Sequence, residues 1–144
     1  MPSLPTSTTV LYDEPFLRIT HDPILRSIRL KWNGHARSDQ YRQGLMIALE
    51  FIETHGEVHF WIADLRDMTA ILQADEKWAN ETWFPRLFNT GLQRMAIIAS
   101  KDYFNQTSVE RSFTAVHGQL TFEVAWFRSS GEAMEWIGGK VLAV

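Results

Sequence analysis

Val58-His59-Phe60-Trp61-Ile62-Ala63-Asp64-Leu65-Arg66-Asp67 decides the fold. From Val58 to Ala63 it is almost wholly apolar and rich in β-formers. A strand apolar on both faces belongs in the middle of a parallel sheet, covered by helices on both sides. The charged residues that follow read as a loop at the strand's carboxyl end. Open α/β sheets bind ligands at such ends. Asp64, Arg66, Asp67 and the nearby Thr69 are therefore the first candidates for a binding site.

The rest of the chain supports this placement. Arg94 to Ser100 contains Met-Ala-Ile-Ile-Ala, a second buried parallel strand. Upstream, Val10 to Tyr12 is a weak strand. Phe16 to His21 and Ile24 to Trp32 read as a hairpin around Asp22-Pro23, with Asn33-Gly34 stopping the second strand. Ser38 is a plausible N-cap for a helix carrying Tyr41, Leu45, Ala48, Leu49 and Ile52, closed by His55-Gly56. Asp75 is placed to cap a helix through Trp78, Trp83 and Leu87, and Pro85 should kink or break it. Thr107 to Glu110 and Ser129 to Glu132 both read as capping boxes. Thr121 to Phe127 reads as a strand between them, and Gly138-Gly139 as the end of a last short helix.

The predicted class is α/β: an N-terminal β-hairpin, then α-β-α-β-α-β-α. The sheet should be mixed and mostly parallel, with one antiparallel edge.

Composition bounds the rest. The 144 residues suit one domain, read as residues 10–144 behind a loose tail, Met1 to Thr9. Hydrophobic residues are 45% and charged residues 22%, which excludes disordered and fibrous classes. A net charge of −3 argues against non-specific nucleic-acid binding. Cysteine is absent, which excludes thiol catalysis and cysteine-ligated metals. No signal peptide or membrane span is readable, so a cytoplasmic protein is expected.

Catalytic signatures are scarce. No Gly-x-Ser-x-Gly elbow, Gly-x-Gly-x-x-Gly loop or Walker lysine motif occurs. The five histidines offer no helical zinc pair, since a glycine and a helix end separate His55 from His59. Asp64 and Asp67 could hold Mg²⁺ for weak phosphatase-type chemistry. Their Asp-x-x-Asp-x-Thr spacing resembles the Asp-x-Asp-x-Thr loop of the haloacid dehalogenase family but is one residue too long. No cofactor is expected.

Tryptophan is unusually abundant, with six copies. Trp32, Trp61 and Trp126 fall in predicted strands and read as core. Trp78 and Trp83 are five apart on one helix, about 140° apart in phase, so they cannot share a face. One can face the core while the other meets solvent or a partner. Both are candidate contact residues.

The layout from Val10 to Ile137 resembles the STAS domain of bacterial anti-sigma factor antagonists, in particular a stand-alone bacterial member. It also resembles the layered CRAL-TRIO arrangement of lipid-exchange proteins. Asp64-Leu65 match the antagonists' strand end. Their phosphorylated Asp-Ser pair falls on Leu72-Gln73, which cannot accept a phosphoryl group. The resemblance implies a non-enzymatic regulatory or protein-interaction module without that switch, with a protein partner or a second copy of itself. A carrier of a small apolar ligand, lined by Met46, Met68, Met95 and aromatics and anchored by Arg66 or His59, is the alternative. The Mg²⁺ enzyme using Asp64 and Asp67 is the third reading.

Overall fold

The computed structural model describes residues 8–142. Six strands form one sheet in chain order: β1 (Thr9–Glu14), β2 (Leu17–Asp22), β3 (Ser27–Gly34), β4 (Phe60–Met68), β5 (Arg94–Ile98) and β6 (Glu123–Phe127). β1 to β3 are antiparallel and β3 to β6 parallel. The expected hairpin is thus part of a three-stranded meander. Most of the expected tail lies outside the described residues, but Thr9 already opens β1.

The helices are α1 (Ser38–Thr54), α2 (Gln73–Trp78), α3 (Phe84–Leu87), α4 (Tyr103–Val116) and α5 (Ser130–Leu142). A π-helical turn, Ala79–Trp83, joins α2 to α3. Each parallel strand is added on the same side of the one before it. Right-handed crossovers then send every connecting helix to one face. That face holds the larger core, in which Leu17, Ile28, Leu30 and Trp61 of the sheet meet Leu45, Leu49, Trp83 and Leu87. α5 follows the last strand and covers the opposite face, where Ala133 and Ile137 pack on Phe60, Ile62, Ala96 and Ile98. β4 therefore buries both its faces, as its composition predicted.

Several boundaries differ from the sequence reading. β3 starts at Ser27, because Asp22 Oδ1 accepts from the Ile24 and Leu25 N–H groups and holds those residues in the turn. Arg37, not Ser38, precedes α1, and its N–H donates to Gln40 Oε1. α4 starts four residues before the Thr107 to Glu110 motif, capped by Asp102 accepting from the Asn105 N–H. Ser129 does cap α5, accepting from the Glu132 N–H. α5 then runs through Gly138-Gly139 to Leu142 instead of ending there. Trp126 is 38% exposed rather than core, its ring edge-on to Phe113 at the sheet margin.

Gly44 shows how closely α1 sits on the meander. A Cβ there would meet Leu17 Cδ2 and lie 3.1 Å from Trp32 Cη2. Both side chains are buried, so making room means repacking the core around them. Gly44→Ala should therefore destabilise the domain by about 1–3 kcal/mol through overpacking, against a helix-propensity gain of about 1 kcal/mol. Chemical denaturation reads the net sign.

Candidate functional site

The carboxyl ends of β3 and β4 carry the first cluster. β4 does not stop at Ala63 but runs to Met68, so Asp64, Arg66 and Asp67 lie in the strand and not in a loop. Asp64 is 1% exposed. Its Oδ2 accepts from Arg29 Nη2 and Arg66 Nη2, each at 2.8 Å, and its Oδ1 accepts from Arg66 Nε at 3.0 Å. Residues two apart in a strand share a face, which is how Arg66 reaches Asp64. Burial alone would raise the Asp64 carboxyl. Hydrogen bonds from Arg66 and Arg29 outweigh it and hold the group below the usual carboxylate range.

A register irregularity lies between the Lys31–Asp64 and Asn33–Asp67 pairs. Asp67 is exposed, with Lys101 Nζ 3.8 Å away. The two aspartates are thus engaged by different cations and do not converge on a common centre. Among the described residues no group of three or more His, Cys, Asp or Glu side chains is placed to hold a metal. Thr69 is exposed and anchored through its backbone. Its N–H donates to the Gly34 carbonyl at 3.0 Å, and its carbonyl accepts from Asn105 Nδ2 at 2.8 Å.

The chain then crosses through Ala70, Ile71 and Leu72 into α2. Leu72 is 52% exposed. Asp75 is no cap: it lies inside α2, buried, accepting from Ser38 Oγ at 2.5 Å and Arg42 Nε at 2.8 Å. Its neighbour Glu76 accepts from Arg111 Nε at 2.6 Å and Nη2 at 2.8 Å. One short helix is thereby tied to α1 through one carboxylate and to α4 through the next.

Pro85 exerts its effect in the turn before it. The Phe84 N–H reaches back five residues to the Ala79 carbonyl, which widens the helix into the π turn. Trp78 is partly exposed, with the Arg42 guanidinium 5.3 Å from its ring centre. Trp83 is 3% exposed, donates from Nε1 to the Leu45 carbonyl at 3.0 Å, and meets Trp61 edge-on at 5.4 Å. The two tryptophans diverge as their phase requires. Trp83 is the core member and presents nothing to an outside partner.

Beneath this interrupted helix the core leaves a cavity of about 80 Å³. Trp32, Trp61, Trp83, Phe84 and Met95 line it, with Glu76, Ser108 and Ser112 as polar lining. Arg66 and His59, expected as anchors of an apolar pocket, do not line it, nor do Met46 and Met68. Sequence reasoning missed Arg29, Ser38, Arg42, Glu76 and Arg111. Only the alternation Asp64-x-Arg66 carried a local signal of pairing. The others meet their partners across more than 30 residues of chain.

Comparison with curated proteins and with solved structures yields no significant match. A family model described as SpoIIAA-like matches residues 27–138, from the start of β3 into α5. The match contains the whole parallel sheet, the Asp64 cluster and the tethered helix, and the chain belongs to the SpoIIAA-like family.

Proposed function

We propose that the protein is a non-enzymatic regulatory module that engages a protein partner through the surface from Asp67 and Thr69 to Trp78. The observation that carries this reading is the exposed Leu72 and the partly exposed Trp78 at the two ends of α2, a helix fixed from behind. An exposed leucine and a tryptophan next to charged residues are what an interface centre and its rim need. The clamps on Asp75 and Glu76 reduce the ordering cost of binding. Asp64 and Arg66 lie on the opposite, α5-side face of the sheet and take no part in that surface. Trp83 supports it as core.

A photo-crosslinking residue at position 72 tests this in the native host. The expected result is one discrete adduct, either a second protein or a dimer, that disappears in Trp78→Ala while the domain stays folded. Absence of any specific adduct, with a monomeric mass in native mass spectrometry, would sink it.

The cavity favours a second reading, a carrier of a small apolar ligand, but its size ranks that reading lower. About 80 Å³ is roughly half the engineered cavity that admits benzene. A lipid chain would need α2 to swing away, breaking the ion pairs of both Asp75 and Glu76. A hydrophobe retained at one-to-one stoichiometry in native mass spectrometry would reverse the ranking.

A further inference from the structure

Among the described residues, part of the sheet is covered by no helix. α1 to α4 occupy one face, and α5 on the other lies over β4, β5 and β6. The described helices leave the α5-side face of β2 and β3 uncovered. There Arg18, Thr20, Arg29 and Lys31 line a shallow depression of about 310 Å³. The antiparallel register sets Arg18 directly opposite Lys31 and Thr20 opposite Arg29. Like charges facing each other across a strand pair are destabilising. Among the described residues, neither Arg18 nor Lys31 has a carboxylate within ion-pair distance.

The acids nearest by register do not cancel this charge. Asp13 stands opposite Arg18 on β1 without forming an ion pair within 4 Å, and Asp64 stands opposite Lys31 on β4. Asp64 is already shared by Arg29 and Arg66, so one carboxylate serves two guanidiniums. A positive excess therefore persists on this face of a chain whose net charge is −3. Arg29 is also held at two points, by Asp64 and by Ser130 Oγ at 2.9 Å. Its remaining N–H donors are fixed before any ligand arrives. Repulsion retained in a fold at a concave site indicates a use for it.

We propose that this depression binds a phosphate monoester. A dianion with three acceptor oxygens matches three converging cations and a threonine hydroxyl. A carboxylate, with one charge and two oxygens, would leave the Arg18–Lys31 repulsion largely in place. An extended polyanion would reach beyond this small patch onto a surface that is acidic on balance. The phosphate can be carried by a phosphorylated side chain of a protein or by a small metabolite. The site lies apart from the partner surface proposed above and does not depend on it.

The test is an amide NMR titration of the full chain with sodium phosphate at constant ionic strength and neutral pH. The expected result is saturable shifts confined to the amides around Arg18 to Thr20 and Arg29 to Lys31. In the double variant Arg18→Gln/Lys31→Gln the affinity should fall about tenfold or more, as expected when charge-assisted donors are lost. In phosphate-free buffer the same variant should melt no lower than wild type, because the repulsion is gone. Shifts that stay linear, an affinity unchanged in the variant, or a variant that melts well below wild type would each overturn the proposal. O-phosphoserine and a phosphoserine peptide separate the sources: tighter binding of the peptide indicates a phosphoprotein, and equal or weaker binding a small molecule.

Discussion

Trp83→Ala should lower the stability of the domain by about 3–5 kcal/mol, the range for deleting a buried indole. The side chain is 3% exposed and packs against Trp61 and Phe84. Its removal would enlarge a cavity that is already about 80 Å³. It would also strip the Leu45 carbonyl of its indole donor. The unsatisfied buried acceptor, worth about 1–3 kcal/mol, is part of that loss. The melting temperature should fall by roughly 10–20 °C for a chain of this size. Trp78→Ala is the control. Trp78 is partly exposed and only flanks the core, beside Arg42, so its removal should cost clearly less, about 1–2 kcal/mol. Equal losses in the two variants would contradict the division of labour between them. Trp83, expected from the sequence as a candidate contact residue, is corrected to a core residue by its burial.

The parts of the fold legible in the sequence are those set by local periodicity. β4 and β5 are apolar on both faces, and only a central parallel position suits that pattern. α1 shows its stripe at helical spacing. The misread parts are those in which a distant partner changes the meaning of a residue. Asp64 looked like a strand end because an isolated carboxylate cannot be buried. Arg29, thirty-five positions earlier, neutralises it together with Arg66, and the strand continues to Met68. Asp75 reads locally as a helix cap, but Ser38 and Arg42 supply the partners that let it lie buried inside α2. At α4 the sequence motif points to Thr107, but the cap is Asp102. Asp102 wins over Thr107 because the longer helix brings Asn105 to the Thr69 carbonyl. At α5 the glycine pair costs about 1 kcal/mol per residue as a helix interior. Burial of Ala133 and Ile137 against β4 and β5 holds the helix in place just before that pair. The candidate surface was legible as a location, the end of β4 and the helix after it. The two carboxylate clamps that fix it were not.

Asp64→Asn should cost about 2–4 kcal/mol, somewhat below the usual penalty for breaking a fully buried ion pair. The discount follows from the partners: Arg29 and Arg66 are 27% and 29% exposed at the side chain, so water can take over part of their solvation. The pH dependence has a definite sign. The folded carboxyl titrates below its unfolded value, so its contribution to stability is complete above the unfolded pKa of about 3.9. It is lost as pH falls through the lower, folded value. The stability gap between wild type and Asp64→Asn, measured by denaturant unfolding, should therefore be constant at neutral pH and shrink in acid. A gap that widens in acid would contradict the ion-pair assignment. The same variant also couples the two faces of the argument. Asparagine releases both guanidiniums from their shared counter-charge and leaves the open face of β2 and β3 more positive. If that face binds phosphate, the affinity of the folded variant should rise while its stability falls. A cluster serving only to hold β3, β4 and α5 together predicts the loss of stability without the gain in affinity.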